Sequence, residues 1–440
     1  MTQLSRKLTL LDLTMIAIGS VIGSGIFITP ALIAKQLPSP AWVLAVWIMG
    51  GVITLTGALT FAELGAMMPR AGGVYVYLSE TYGGLWGFLY GWGYFLVVNT
   101  GGIAALSIAF ATYLAYFVPM SPLAVKLVAI GGIVFLTVVN VRGVKAGAIF
   151  SDLFTSLKVI GIAGLIVVGF GWGTQSAPDF SAPLGALPDG LGSALTLAMV
   201  GVIWSCGGWQ HASFTAGEAI NPRRDVPLGM VTGAVIVTVI YLLTNIAYML
   251  LLPLNEMAAS SRVASDAVKT VLGPVGGSLI ALVICISTFG TAGIYTLTAP
   301  RIYFAMAQDK VFFQLAARVH PRYHTPAFSI LIQSGWAILL ILFWGTFENL
   351  ISYVVFTDAI FFAFAAAAVL VLRKREPDAE RPYKTLGYPL TPLIFIAIES
   401  WFVLNTLFEK PVQSFIGIGV ILLGVPVYYF WKSGKSVTDR

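Results

Sequence analysis

The sequence predicts an all-α polytopic membrane protein of twelve transmembrane helices, and three observations carry that prediction. Of 440 residues, 58% are hydrophobic and only 10% charged, against roughly 25% charged in soluble domains. The apolar residues fall into runs of about 20 or more, the length that crosses a bilayer. The basic residues between those runs collect on one side, which is a topology signal. Water could not solvate so much apolar surface, so soluble enzymes, nucleic-acid binders and disordered scaffolds are excluded. The net charge of +6 then reflects sidedness in a membrane, not a nucleic-acid partner.

Taken in order, the runs span about 11–36, 41–68, 85–117, 123–141, 150–171, 193–220, 228–252, 275–306, 326–345, 349–372, 389–408 and 412–432. Arg6 and Lys7 precede the first, which Asp12 interrupts; it is expected to be a span, not a removable leader. Arg70 follows the second run, Arg142 and Lys145 the fourth, and Arg223 and Arg224 the sixth. Arg318 and Arg322 follow the eighth, and Arg373-Lys374-Arg375 the tenth. All of these fall on the inner side. Only Lys35, Lys126, Arg262, Lys269 and Lys410 fall outside, and Lys158 lies within a span. Both termini are therefore expected in the cytoplasm and the chain in the cell membrane, in contact with lipid. The longest external connection, 172–192, has no basic residue. With short linkers elsewhere, 1–440 is expected to be one transmembrane domain. Cys206 and Cys285 lie within spans and make neither a disulfide nor a metal site.

Two spans carry Gly-rich interruptions near mid-membrane. The first reads Gly19-Ser20-Val21-Ile22-Gly23-Ser24-Gly25-Ile26-Phe27 and the sixth Trp204-Ser205-Cys206-Gly207-Gly208-Trp209. Interruptions at matching positions of two halves point to a substrate site made of discontinuous helices. Five spans per half is an odd number, so the second half enters the membrane inverted. Spans 1–5 (11–171) and 6–10 (193–372) are then an inverted 5+5 repeat, with spans 11 and 12 (389–432) outside it. Backbone groups freed at mid-membrane must line a wet cavity or meet a ligand. Amides at Ser24, Gly25 and Ile26 suit a carboxylate. Carbonyls near Gly19–Val21 and Trp204–Gly207 suit an ammonium. The two charges of an α-amino acid fit this pair.

The first motif, continued by Thr29-Pro30, resembles the first helix of the amino acid–polyamine–organocation superfamily. Its L-type amino-acid transporters are the nearest likeness, together with bacterial alanine–serine–cysteine and serine/threonine exchangers. Ala62-Glu63-Leu64, Pro69-Arg70-Ala71-Gly72-Gly73, Tyr75-Val76-Tyr77, Gly207-Gly208-Trp209, Gly217-Glu218-Ala219-Ile220-Asn221-Pro222 and Asp225-Val226-Pro227 resemble the same family in order. The resemblance implies a LeuT-like fold and a substrate held by the backbone of Val21, Ser24, Gly25, Ile26, Trp204 and Gly207, with the Trp204 ring as a gate. It implies that Lys158 bonds the Gly19 carbonyl and stands where sodium sits in related transporters, and that Tyr241 belongs to a gate. Eukaryotic members carry a cysteine between spans 3 and 4. Here that loop is Val118-Pro119-Met120-Ser121-Pro122, so no disulfide-linked ancillary subunit is expected.

Ionisable groups deep in a bilayer are costly and mark function. Lys158 lies about 12 Å into its run at 1.5 Å per residue. Asp358 is a counter-charge, a proton site or an acid capped by hydroxyls. Glu399, in span 11, is expected to serve packing rather than transport. Glu63 and Glu218 are expected to pair with Arg70, Arg223 or Arg224. His211 is expected to be a polar packing group, and Ser287, Thr288 and Thr291 are hydroxyls within reach of Lys158 or substrate. No Walker loop, HExxH or GxSxG motif occurs, so neither enzyme nor cofactor is expected. The function expected is sodium-independent exchange of neutral L-amino acids, small side chains favoured, by alternating access. Proton-coupled symport, with Lys158 or Asp358 titrating, is the competing expectation; a non-transporting receptor is a further one.

Overall fold

A computed structural model describes residues 4–37, 39–173, 178, 180, 190–343 and 347–433. The described residues are helical, and their β pairing is a single isolated bridge, Leu8 with Ala219. Helix α1 (Leu10–Val21) starts at a capping box: Thr9 Oγ1 accepts from the Asp12 amide, and the Asp12 carboxylate accepts from the Thr9 amide. The acid that interrupts the first run is therefore its start signal. The chain leaves helical geometry at Ile22–Ser24 and resumes as α2 (Gly25–Gln36). Ser39 caps α3 (Pro40–Met67), and α4 (Val74–Tyr82) follows. Next come α5 (Gly84–Gly93), a π-helical turn at Tyr94–Val98, and α6 (Asn99–Leu114). Then follow α7 (Pro122–Val141), α8 (Val144–Trp172), α9 (Leu191–Cys206), the short α10 (His211–Phe214) and α11 (Pro222–Leu251). The chain ends with α12 (Leu254–Ala259), α13 (Val263–Thr298), α14 (Pro300–Gln308), α15 (Ala327–Phe343), α16 (Phe347–Arg375), α17 (Leu390–Glu409) and α18 (Pro411–Ser433).

Among the described residues ten helical segments are long and apolar enough to cross a membrane; α9 and α15 are apolar but shorter. The helix α9 is short because it stops at the second Gly-rich interruption. Two edges depart from hydropathy. The fifth run starts at Val144, not at 150, because Lys145 in its first turn lowers the hydropathy there without breaking the helix. This puts Lys158 at the middle of α8. The eighth starts at Val263, not at 275, and bends at Gly273, whose φ is 62°. Most of the 172–192 connection lies outside the described residues.

α1 packs on α11 and α8, α2 on α9, and α13 on α8 and α6. α17 packs on α16 and α3, so it borders the interior of the bundle. The breaks in α1–α2 and α9–α10 thus meet inside a layer formed by α3, α8, α11 and α13.

Candidate functional site

The first break is bonded almost throughout. Lys158 Nζ, fully buried, donates to Gly19 O at 2.9 Å, Ile22 O at 2.7 Å and Thr291 Oγ1 at 2.8 Å. Thr291 Oγ1 lies 2.9 Å from the same two carbonyls. Ser287 Oγ lies 2.9 Å from Gly23 O, and Tyr241 donates to Val21 O at 2.9 Å. The carbonyl end of α1 carries the negative pole of its dipole, so an ammonium set between Gly19 O and Ile22 O meets it directly. Thr288 bonds its own helix instead, as hydroxyls in membrane helices commonly do. The carbonyls expected to be open to a ligand at Gly19 and Val21 thus already accept from side chains of α8 and α11.

The opposite side of this break is less satisfied. Ser24 is 1% exposed, and its Oγ has no hydrogen-bond partner among the described residues. Beside it, the Gly25 and Ile26 amides precede the first helical bonds of α2, which Phe27 and Ile28 make to Ser24 O at 3.2 Å. The backbone here approaches α9 closely: a Cβ on Gly25 would stand 2.7 Å from Ser205 Cα.

At the second break, Gly207 is extended and Gly208 has φ of +123°. A Cβ on Gly208 would lie 2.7 Å from the Ser20 carbonyl, while Ser20 Oγ donates to Gly208 O at 2.8 Å. Gln210 Oε1 accepts the Gly208 amide at 3.0 Å. Gly208→Ala is expected to cost about 1–3 kcal/mol in strain alone, seen as a lowered unfolding temperature in detergent. An unchanged temperature would mean that the two breaks do not depend on this contact.

A cavity of about 50 Å³ lies beside the second break, between α3, the π turn, α13, α16 and α17. Trp204 and Gly207 line it; Val21, Ser24, Gly25 and Ile26 are buried at the first break, outside its wall. Its wall also holds groups the sequence did not bring together. The π turn contributes Tyr94, and π turns frequently mark functional positions. Tyr94 OH is 3.0 Å from His211 Nε2, and Thr298 Oγ1 is 2.5 Å from His211 Nδ1. His211 stacks on Tyr295 with ring centroids 4.3 Å apart, so both ring nitrogens are engaged and the ring is held as a packing group. Asp358 and Glu399 both line the cavity, so Glu399, expected to serve packing, stands with Asp358 at its wall.

The acids near the ends of the spans take other partners than expected. Glu63 pairs with Arg373 at 2.7 Å and Arg381 at 3.3 Å, and accepts from the Thr385 amide at 2.7 Å. Glu218 forms a fully buried bidentate pair with Arg301, at 2.6 and 2.9 Å. Arg70 pairs with Glu80, and Arg223 with Glu380. Loop proximity favours Arg70 and Arg223 in sequence; the fold brings in basic groups from α14, α16 and the segment after α16. Cys206 and Cys285 are buried free thiols.

A family profile described as amino acid permease matches residues 8–431. The chain is 35% identical over 437 residues to the serine/threonine exchanger SteT of Bacillus subtilis (strain 168), covering 98% of each chain. It is 31% identical over 444 residues to large neutral amino acids transporter small subunit 2 of Mus musculus, covering 98% of this chain and 82% of that one. Asc-type amino acid transporter 1 of Mus musculus is 29% identical over 449 residues, covering 99% and 84%.

Proposed function

The chain belongs to the amino acid permease family, in the L-type branch of the amino acid–polyamine–organocation superfamily, and from that premise we propose that it exchanges neutral L-amino acids without sodium. Amino-acid transport itself follows from the family and from relatives named as exchangers and transporters; the chain is not an enzyme. The observation that carries the finer reading is the pair of breaks in contact. Ser24 Oγ and the amides of Gly25 and Ile26 face a substrate carboxylate, and the carbonyl end of α9 at Trp204 and Gly207 faces its ammonium. Lys158 supplies a fixed cation at the carbonyl end of α1, which supports transport without a sodium ion there. Tyr241, bonded to Val21 O, couples α11 to the same break. The small residues Gly207, Gly208, Ser205 and Cys206 favour alanine, serine, cysteine and threonine.

In this reading the fold has twelve spans, α9 and α15 included. Residues 11–171 and 193–372 form an inverted repeat of the LeuT-like kind, with 389–432 added to it. One transmembrane domain sits in the cell membrane with both termini cytoplasmic. The α6–α7 connection has no cysteine, so no disulfide-linked subunit is attached.

The test uses purified protein in liposomes loaded with unlabelled L-serine or left empty, without sodium or a pH gradient. Labelled L-serine, L-alanine and L-leucine are expected to enter loaded vesicles only, leucine most slowly. Entry into empty vesicles that requires an inward proton gradient would overturn exchange in favour of symport.

A further inference from the structure

The cavity beside the second break receives two carboxyls from different helices, Asp358 on α16 and Glu399 on α17. Asp358 Oδ1 and Glu399 Oε2 are buried and have no hydrogen-bond partner among the described residues, and Glu399 is 1% exposed. No lysine or arginine lines this cavity among the described residues. Its histidine, His211, is engaged at both ring nitrogens. A carboxylate withdrawn from water needs a counter-charge or a proton, and the wall supplies no counter-charge. The carbonyl ends that answer the substrate's α-ammonium lie at the breaks, so they do not neutralise this pair.

The rest of the wall suits a cation on an aliphatic stem. Trp204, Trp209, Phe362 and Phe395 line it; aromatic faces attract ammonium groups and accept methylenes. A volume of about 50 Å³ holds about three to five waters at about 10–15 Å³ each, enough for an ammonium and a short stem. Two like charges in one cavity do not ionise together, so one entering cation is the counter-charge that one ionised member of the pair needs.

We propose that Asp358 and Glu399 form a subsite for a positively charged substrate side chain, so that amino acids with a side-chain ammonium enter the cavity that takes neutral ones. This rests on the transport reading above. The acids come from the tenth and eleventh spans, so this subsite ties α17 to substrate choice.

Exchange of labelled L-alanine in alanine-loaded liposomes tests it, competed by L-ornithine, L-lysine and the uncharged L-norleucine. Ornithine and lysine are expected to compete in the wild type, and labelled ornithine to enter loaded vesicles. In Asp358→Asn and Glu399→Gln, the half-inhibiting concentration of ornithine divided by that of alanine is expected to rise by about tenfold or more. The same ratio for norleucine is expected to move less than about twofold, a side chain without charge having no stake in the pair. Because the readout is a ratio, a variant that folds in lower yield still reports. Alanine exchange to which ornithine and lysine are inert would overturn the subsite and leave the transport reading standing; so would competition that the variants do not change. Absence of alanine exchange in the wild type would remove the transport reading and the subsite with it.

Discussion

Lys158→Ala is expected to abolish amino-acid exchange, lowering its rate by about a hundredfold or more, in protein that still reaches the membrane. The ammonium makes charge-assisted bonds to Gly19 O and Ile22 O, each worth about 1.5–3 kcal/mol. At about 1.4 kcal/mol per tenfold, losing both exceeds a hundredfold if they matter only in the transporting geometry. Thr291 Oγ1 reaches the same carbonyls, but one hydroxyl proton serves one acceptor at a time, so it cannot replace the ammonium. Lys158→Gln separates charge from bonding: it keeps two N–H donors and discards the cation. Recovery of exchange in the Gln variant would reduce the role to hydrogen bonding. A rate within about threefold of wild type in the Ala variant would remove Lys158 from the mechanism, since about 0.6 kcal/mol is less than one hydrogen bond to a charged group.

Arg301→Ala is expected to cost about 3–5 kcal/mol of stability, because it leaves Glu218 charged and buried without its partner. Both side chains are 0% exposed and joined by two bonds, and the guanidinium also donates to Leu297 O. The measurement is chemical or thermal unfolding in detergent, followed by loss of the monodisperse peak. A double variant, Glu218→Gln with Arg301→Met, is expected to recover much of the loss, since removing both charges costs far less than stranding one. A loss below about 1 kcal/mol in the single variant would mean that water reaches Glu218, as it does in exposed pairs.

Much of this architecture is legible in the sequence, for a physical reason. A bilayer makes each crossing declare itself locally, as an apolar run of fixed length, and the breaks declare themselves as glycines within such runs. Gly23, flanked by Gly19 and Gly25, and Gly207 with Gly208 stand where helical geometry lapses. What stays hidden is determined by contacts between distant runs. Arg301 reaches Glu218 across 83 positions, while the basic residues nearest in sequence pair elsewhere. Glu399 lines the cavity because α17 packs against α16 and α3, and no feature of its own run announces that face. The π turn at Tyr94–Val98 is likewise silent, because Tyr-Phe-Leu-Val-Val fits an ordinary α-helix equally well. The start of α8 at Val144 is obscured by Lys145, whose charge lowers the hydropathy there.

The reach of Lys158 to Gly19 also sets an order of events during biosynthesis. The two residues are 139 positions apart, which at about 5–20 residues per second is about 7–28 s of translation. Thr291, 272 positions from Gly19, arrives later still. Through that interval α1 and α2 are in the translocon or bilayer without the donors that hold their break open, and unsatisfied carbonyls are costly in lipid. The nascent first segment is therefore best kept as an unbroken helix, remodelled into two half-helices once α8 and α13 have been made. A nascent chain stalled before residue 158 would hold the first segment in that unbroken form.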